Sequence, residues 1–193
     1  MKKICLIIFI FFITFNFQSL TRADDIRDFE IEEMSIGDSL LDFYSKREIN
    51  NFSNYDDLPS DMKFRIADYE KKIGSYDGLQ FFYKPKDQKF KIHSVAGHVY
   101  CNSKNKCNKI FEQIKSDMEK SLGGKNFKKD TYKHFDDKSG KSVATVYYLN
   151  VDGGEIKVEY MDWSRKMKWS DNVNVTINTN EVIDWLKSDY GTK

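Results

Sequence analysis

A serine hydroxyl, a pair of cysteines, three histidines and two closely spaced tryptophans are the side chains of this chain whose spacing could support chemistry. Ser39 stands in the string Gly37-Asp38-Ser39-Leu40. A serine hydroxyl is a weak nucleophile until a general base takes its proton, and the base is most often a histidine held by a carboxylate. The histidines are His93, His98 and His134, and none lies in an Asp-x-x-His string. The same residues also read as a helix start. Ser35 and Asp38 have the spacing of a capping box, and Leu40 and Leu41 come next as core-facing positions.

Cys101 and Cys107, with His98 and either His93 or His134, are the right residue types for a zinc site. The spacing His-x2-Cys-x5-Cys is not a structural-zinc pattern, and no second paired motif accompanies it. The N-terminus favours a different pairing. Met1-Lys2-Lys3 is a short basic start, Ile4 to Phe17 is apolar apart from Thr14 and Asn16, and Thr21-Arg22-Ala23 precedes Asp24-Asp25. This is the layout of a secretory signal peptide over residues 1–23. The apolar run is shorter than the roughly 20 residues a spanning helix needs. Cys5 opens the run instead of coming after it, which excludes a lipoprotein signal, and it leaves with the signal. In an oxidising compartment the isolated pair Cys101 and Cys107 reads as a disulfide, not a metal site. Its loop is short, so the entropic stabilisation expected is about 2 kcal/mol.

Trp163-Ser164 and Trp169-Ser170 bracket Arg165, Lys166, Met167 and Lys168. Two indoles around cationic side chains make a candidate binding surface of Trp163, Arg165, Lys166 and Trp169, suited to a glycan, a lipid headgroup or an envelope protein. The competing arrangement folds both rings back over a sheet edge with the charges in water. Other strings fall short of a site. Gly140-Lys141-Ser142 lacks the upstream glycine of a phosphate loop, because position 135 is Phe135, and it opens no helix. Asp136-Asp137 cannot start a calcium loop, since Lys141 occupies the glycine position, and Asp136 to Lys141 reads as an exposed hairpin turn. Asn51-Phe52-Ser53 and Asn174-Val175-Thr176 are glycosylation sequons with meaning only in a eukaryotic secretory pathway. No motif assigns a cofactor, a metal or a catalytic residue.

The full chain carries 31 Lys and Arg against 30 Asp and Glu. Without Lys2, Lys3 and Arg22 the balance is 28 to 30, a net charge of −2 from Asp24 onward. That leaves no electrostatic basis for a nucleic-acid partner. Aromatic residues at 15% fit a chain with a substantial core. Asp24 to Lys193 reads as one domain, with no Pro/Gly/Ser-rich linker and no repeat.

The elements that must position these residues come from periodicity. Phe29 to Met34 reads as a short strand, and Ser45-Lys46-Arg47-Glu48 opens a compact helix. Asn50 to Ser60 is a polar loop. Lys63 to Glu70, Leu79 to Lys84 and Lys89 to Tyr100 read as strands, the last with His93 toward solvent, His98 half-buried and a bulge at Gly97. Ile110, Phe111, Ile114, Met118 and Leu122 make one apolar helix stripe, stopped by Gly123-Gly124. Val143 to Val151 alternates into Asp152-Gly153-Gly154, a hairpin signal, and Ile156, Val158 and Tyr160 return. Val173, Val175 and Ile177 form another strand, and Asn178 with Glu181 opens a last helix. The fold class expected is α+β: a mainly antiparallel sheet with one long helix and several short helices packed on it.

Gly37-Asp38-Ser39-Leu40 resembles the signature of the GDSL esterases and lipases. The resemblance implies Ser39 as nucleophile, a Gly-x-Asn-Asp block supplying oxyanion-hole donors, an Asp-x-x-His pair near the C-terminus and a parallel α/β fold. Neither later block is present here, and the strands alternate as an antiparallel sheet does. Asp25-Ile26-Arg27-Asp28-Phe29, Ser35 to Leu41, Thr131-Tyr132-Lys133-His134 and Asp162-Trp163-Ser164 are similar to segments of small exported proteins of AT-rich bacteria. That second resemblance implies export and a shared fold, without an activity. The function expected is that of an exported, non-enzymatic binding or envelope-associated protein of the bacterial periplasm or exterior. A serine esterase using Ser39 is the alternative.

Overall fold

The computed structural model describes residues 25–54, 62–123 and 125–190; the expected signal segment 1–23 and the stretch 55–61 lie outside them. Alternating apolar and polar residues build an eight-stranded antiparallel sheet. In chain order the elements are β1 (Glu30–Ile31), β2 (Met34–Ser35), α1 (Lys46–Asn50), β3 (Ser53–Asn54), β4 (Arg65–Tyr69), β5 (Gly78–Tyr83), β6 (Ser94–Tyr100), α2 (Lys104–Ser121), β7 (Lys128–Lys133), β8 (Val143–Val151), β9 (Gly154–Asp162), β10 (Asn172–Thr179) and α3 (Asn180–Trp185). The spatial order of the large sheet is β3-β4-β5-β6-β10-β9-β8-β7. Two meanders, β4 to β6 and β7 to β10, thus meet along the central β6–β10 pair, and α2 connects them. This is an α+β architecture with a large antiparallel sheet and a few helices, α2 being 18 residues long.

Register gives each face a distinct character, because successive side chains along a strand point to opposite sides. Ala67, Phe81, Val95, Ile177, Ile156 and Leu149 pair in one unbroken row across six strands, and all are buried. Ile31, Met34, Leu40, Ile49 and Phe52 of the N-terminal segment join this row in one core cluster. Further along the same face, α2 lays its stripe on the sheet, with Cys107 and Phe111 buried against Val158, Tyr160 and Val173. Ser103 caps α2 by accepting from Lys106 N, at 3.3 Å. A disulfide joins Cys101, just past β6, to Cys107 in the first turn of α2, with Cα atoms 5.5 Å apart, as expected.

On the opposite face, among the described residues, α3 covers one end. There Phe82 of β5 packs with Phe64, Val182 and Trp185 under α3. His93 belongs to this covered end: its ring centroid lies 5.2 Å from that of Phe64, and Nδ1 is 3.6 Å from Glu181. The expectation of a solvent-facing His93 is therefore corrected. The chain is irregular from Lys89 to His93, with Phe90 at φ 49°, so strand parity does not extend back past Ser94.

Other local expectations also need correction. Ser35 ends a two-residue-turn hairpin instead of capping a helix; Glu32 and Glu33 both have positive φ at its tip, which suits a primed turn. Asp38 still accepts from Ser35 N at 2.8 Å, but the next element is a single 3-10 turn, Leu40–Asp42, capped by Ser39. Gly97 pairs in register with Val175 and Leu79, so it is no bulge. It is glycine because a Cβ there would sit 2.3 Å from the Tyr76 ring, which lies on the backbone. Ser45 and Glu48 do form the expected reciprocal capping box of α1. Thr179, not Asn178, caps α3, accepting from Val182 N.

Candidate functional site

Beyond the reach of α3, a groove of about 820 Å³ crosses the second face. Register sets its floor. Gly78, His98, Asn174 and Glu159 pair side by side across β5, β6, β10 and β9, and the next row on this face is Tyr100, Asn172 and Met161. Asp68 and Gln80 line one end, and the tryptophan loop between β9 and β10 lines the other. The volume lies within the roughly 300–1,000 Å³ of small-molecule sites.

The floor is a set of tethered polar groups. His98 Nδ1 donates to Asn174 Oδ1 at 2.7 Å, which leaves Nε2 as the ring atom available to a ligand. Gln80 Nε2 donates to Asp68 Oδ1 at 2.9 Å. Glu159 is buried and accepts from Tyr132 OH at 3.0 Å and Lys157 Nζ at 3.4 Å. Burial and then the Glu159 carboxylate push the Tyr132 phenol well above its ordinary range. Asp77 Oδ2 accepts from Tyr100 N at 2.9 Å. The Tyr100 phenol is raised by burial and by Asp68, Glu70 and Asp77 around it.

The wall is aromatic. Trp163 and Trp169 meet edge to face at 4.5 Å, Trp163 contacts the His134 ring at 4.6 Å, and His134 stacks on Phe135 at 4.9 Å. Tyr100, Tyr132, Phe135 and Trp169 are four of the six large apolar side chains that are well exposed among the described residues. Tyr100 and Trp169 line the groove, and Tyr132 and Phe135 contact its lining residues Glu159 and His134. The tryptophan loop is held from both sides. Trp163 N donates to Asp171 Oδ1 at 2.9 Å, and Asp171 O accepts from Cys101 N at 2.8 Å. Ser164 N donates to Ser142 Oγ at 3.0 Å. Ser142 in turn donates through both N and Oγ to Asp137, which also accepts from Ser139 N. The surrounding serines, Ser139, Ser164 and Ser142, hold the Asp137 carboxyl far below the usual carboxylate range, the hydrogen bonds coming from Ser139 N, Ser142 N and Ser142 Oγ. Asp137 is thus the buried anchor of the loop's base, which corrects the reading of residues 136–141 as a merely exposed turn.

Of the expected surface, Trp163 and Trp169 line the groove. Arg165, Lys166 and Lys168 are all exposed, and the cation that joins the lining is Lys168, whose backbone has a positive φ of 58°. Sequence reasoning does not single out His98, Tyr100, Asn172, Asn174, Gln80 and Glu159 as one site. The signal that points to them is the asparagine run of β10: Asn172, Asn174 and Asn178 occupy one face of a strand, where asparagine is unfavoured.

Ser39 is elsewhere. Its Oγ donates to Lys89 O at 2.6 Å and accepts from Leu41 N at 3.1 Å, so the proton a base would remove is already committed to a carbonyl. Cys101 and Cys107 are bonded to each other, and no three His, Cys, Asp or Glu side chains gather as a metal site among the described residues. Comparison with protein-family models, with curated proteins and with solved structures returns no match.

Proposed function

We propose that this chain is an exported, non-enzymatic binding protein that holds its ligand in the groove that crosses its sheet beyond the reach of α3. The observation that carries the reading is the concentration of exposed aromatic rings beside a row of tethered hydrogen-bonding side chains, on a sheet face whose other end is covered by α3. Exposed rings lower solubility, and where they cluster on a surface they mark binding sites. Export to the bacterial periplasm or exterior is supported by the 1–23 pattern and by the disulfide. No helix among the described residues is long and apolar enough to cross a membrane.

Tryptophan fluorescence tests the binding reading directly, because Trp169 stands at the groove mouth. The oxidised protein is titrated with cellotetraose, with chitotetraose, with spermidine and with anionic phosphatidylglycerol vesicles. At least one probe should shift the emission saturably, and the shift should vanish in Trp169→Ala. No response to any probe, or a response that survives the substitution, rejects the groove as the site. For export, protein recovered from a secreting host should begin at Asp24; a chain retained with Met1 rejects it.

A further inference from the structure

We propose that the ligand of this groove is a short neutral oligosaccharide, lying across the strands with one ring stacked at the Trp169 end. This rests on the binding reading above. The shape is the first support. The lining runs from Asp68 on β4 through β5, β6 and β10 to Glu159 on β9. With strands about 4.8 Å apart, that is a trough roughly 19 Å long. Such a trough fits a linear oligomer of several units better than a compact metabolite.

The second support is chemical. A pyranose ring has an apolar face of C–H bonds and a rim of hydroxyls. It needs a flat aromatic partner for the face and planar hydrogen-bonding groups, both donor and acceptor, for the rim. Trp169 supplies the partner at one end, and Tyr100 is the exposed ring farther along the floor. On the same floor, His98 of β6 and Asn174 and Asn172 of the adjacent β10 project about one sugar-ring length apart from strand to strand. Amides donate and accept, which suits hydroxyls and gives no preference for charge.

Charge argues against the alternatives. Among the described lining residues, four carboxylates, Asp68, Glu70, Asp77 and Glu159, stand against one lysine, Lys168, so a phosphate or carboxylate ligand meets repulsion. Three of these carboxylates already accept protein hydrogen bonds: Asp68 from Gln80, Asp77 from Tyr100 N and Glu159 from Tyr132. They act as oriented acceptors for hydroxyl donors more than as bare charges awaiting a cation.

Calorimetric titration of the oxidised protein with cellotetraose and with chitotetraose tests the proposal. Saturable binding of either is expected, at least tenfold weaker in Trp169→Ala and in Asn174→Ala, retained in Trp169→Phe and unchanged in Arg165→Ala. Melting temperatures of the variants establish that they are folded; Trp169 is 53% exposed, so its loss should leave the fold intact. Binding of spermidine or of phosphatidylglycerol vesicles without either sugar overturns the saccharide proposal and leaves the binding reading standing. Failure of all four probes overturns both.

Discussion

Asp137 is the residue on which the tryptophan loop depends. Its carboxylate accepts three hydrogen bonds from Ser139 and Ser142, and Ser142 Oγ accepts from the loop at Ser164. In Asp137→Asn one oxygen becomes a donor facing donors. The expected outcome is a lower Tm together with a red-shifted, more quenchable tryptophan emission, as the Trp163–Trp169 pair loosens. His93 sets a pH dependence of the opposite end. Burial, then the Lys84 charge, depresses its pKa below the ordinary histidine value, against the opposing pull of Glu181 and Asp87; Lys91 adds to the depression. The unfolded chain therefore binds the proton more readily than the folded one. Stability from this site is complete above the unfolded histidine value of about 6.5 and falls as the pH drops through it toward the folded value. A Tm series from about pH 7.5 to about pH 5, spanning that histidine range, should decline in the wild type and decline less in His93→Gln. Equal slopes would remove His93 from the account.

At the scale of elements, the sharpest test is Gly97. A Cβ there would meet the Tyr76 ring at 2.3 Å, and overpacking of this kind costs about 1–3 kcal/mol. Denaturant melts should show that loss in Gly97→Ala and a partial recovery in the double variant Gly97→Ala/Tyr76→Ala, since the two sites share one contact. The element scale is also where the sequence speaks most unevenly. The β8–β9 hairpin, β10 and α2 are legible because one face of each is mainly apolar and the other polar, and burial enforces that pattern. Edge strand β7 is not: all six of its residues are exposed, so nothing in Lys128 to Lys133 alternates, and only pairing with β8 makes it a strand. The groove is hidden for a related reason. Its residues occupy the polar phase of strands read by their apolar phase, and polar alternates look alike whether they face water or a ligand. Ser35 misleads because a serine and an aspartate three apart serve a tight turn as well as a helix start.

Across the whole molecule, the sheet sets α2 on one face and the groove proposed for binding on the other. The α2 side carries the apolar contacts of Phe111, Val158, Tyr160 and Val173, and the groove lies on the other face. Phe111→Ala should therefore lose about 3–5 kcal/mol of unfolding free energy while leaving the affinity of the folded fraction unchanged. Trp169→Ala should do the reverse. Paired chemical denaturation and ligand titration would show whether the two faces are independent, and a coupled loss in either variant would show that they are not. The Cys101–Cys107 bridge is the point where the two faces touch. Cys101 N holds Asp171, Asp171 holds Trp163, and Tyr100 is the neighbouring floor residue. Opening the bridge would free Cys101 from α2 at the strand end that carries this link to the groove. If the chain is exported as proposed, the bridge closes on arrival, and oxidation there would stiffen the end of the groove that Trp163 lines.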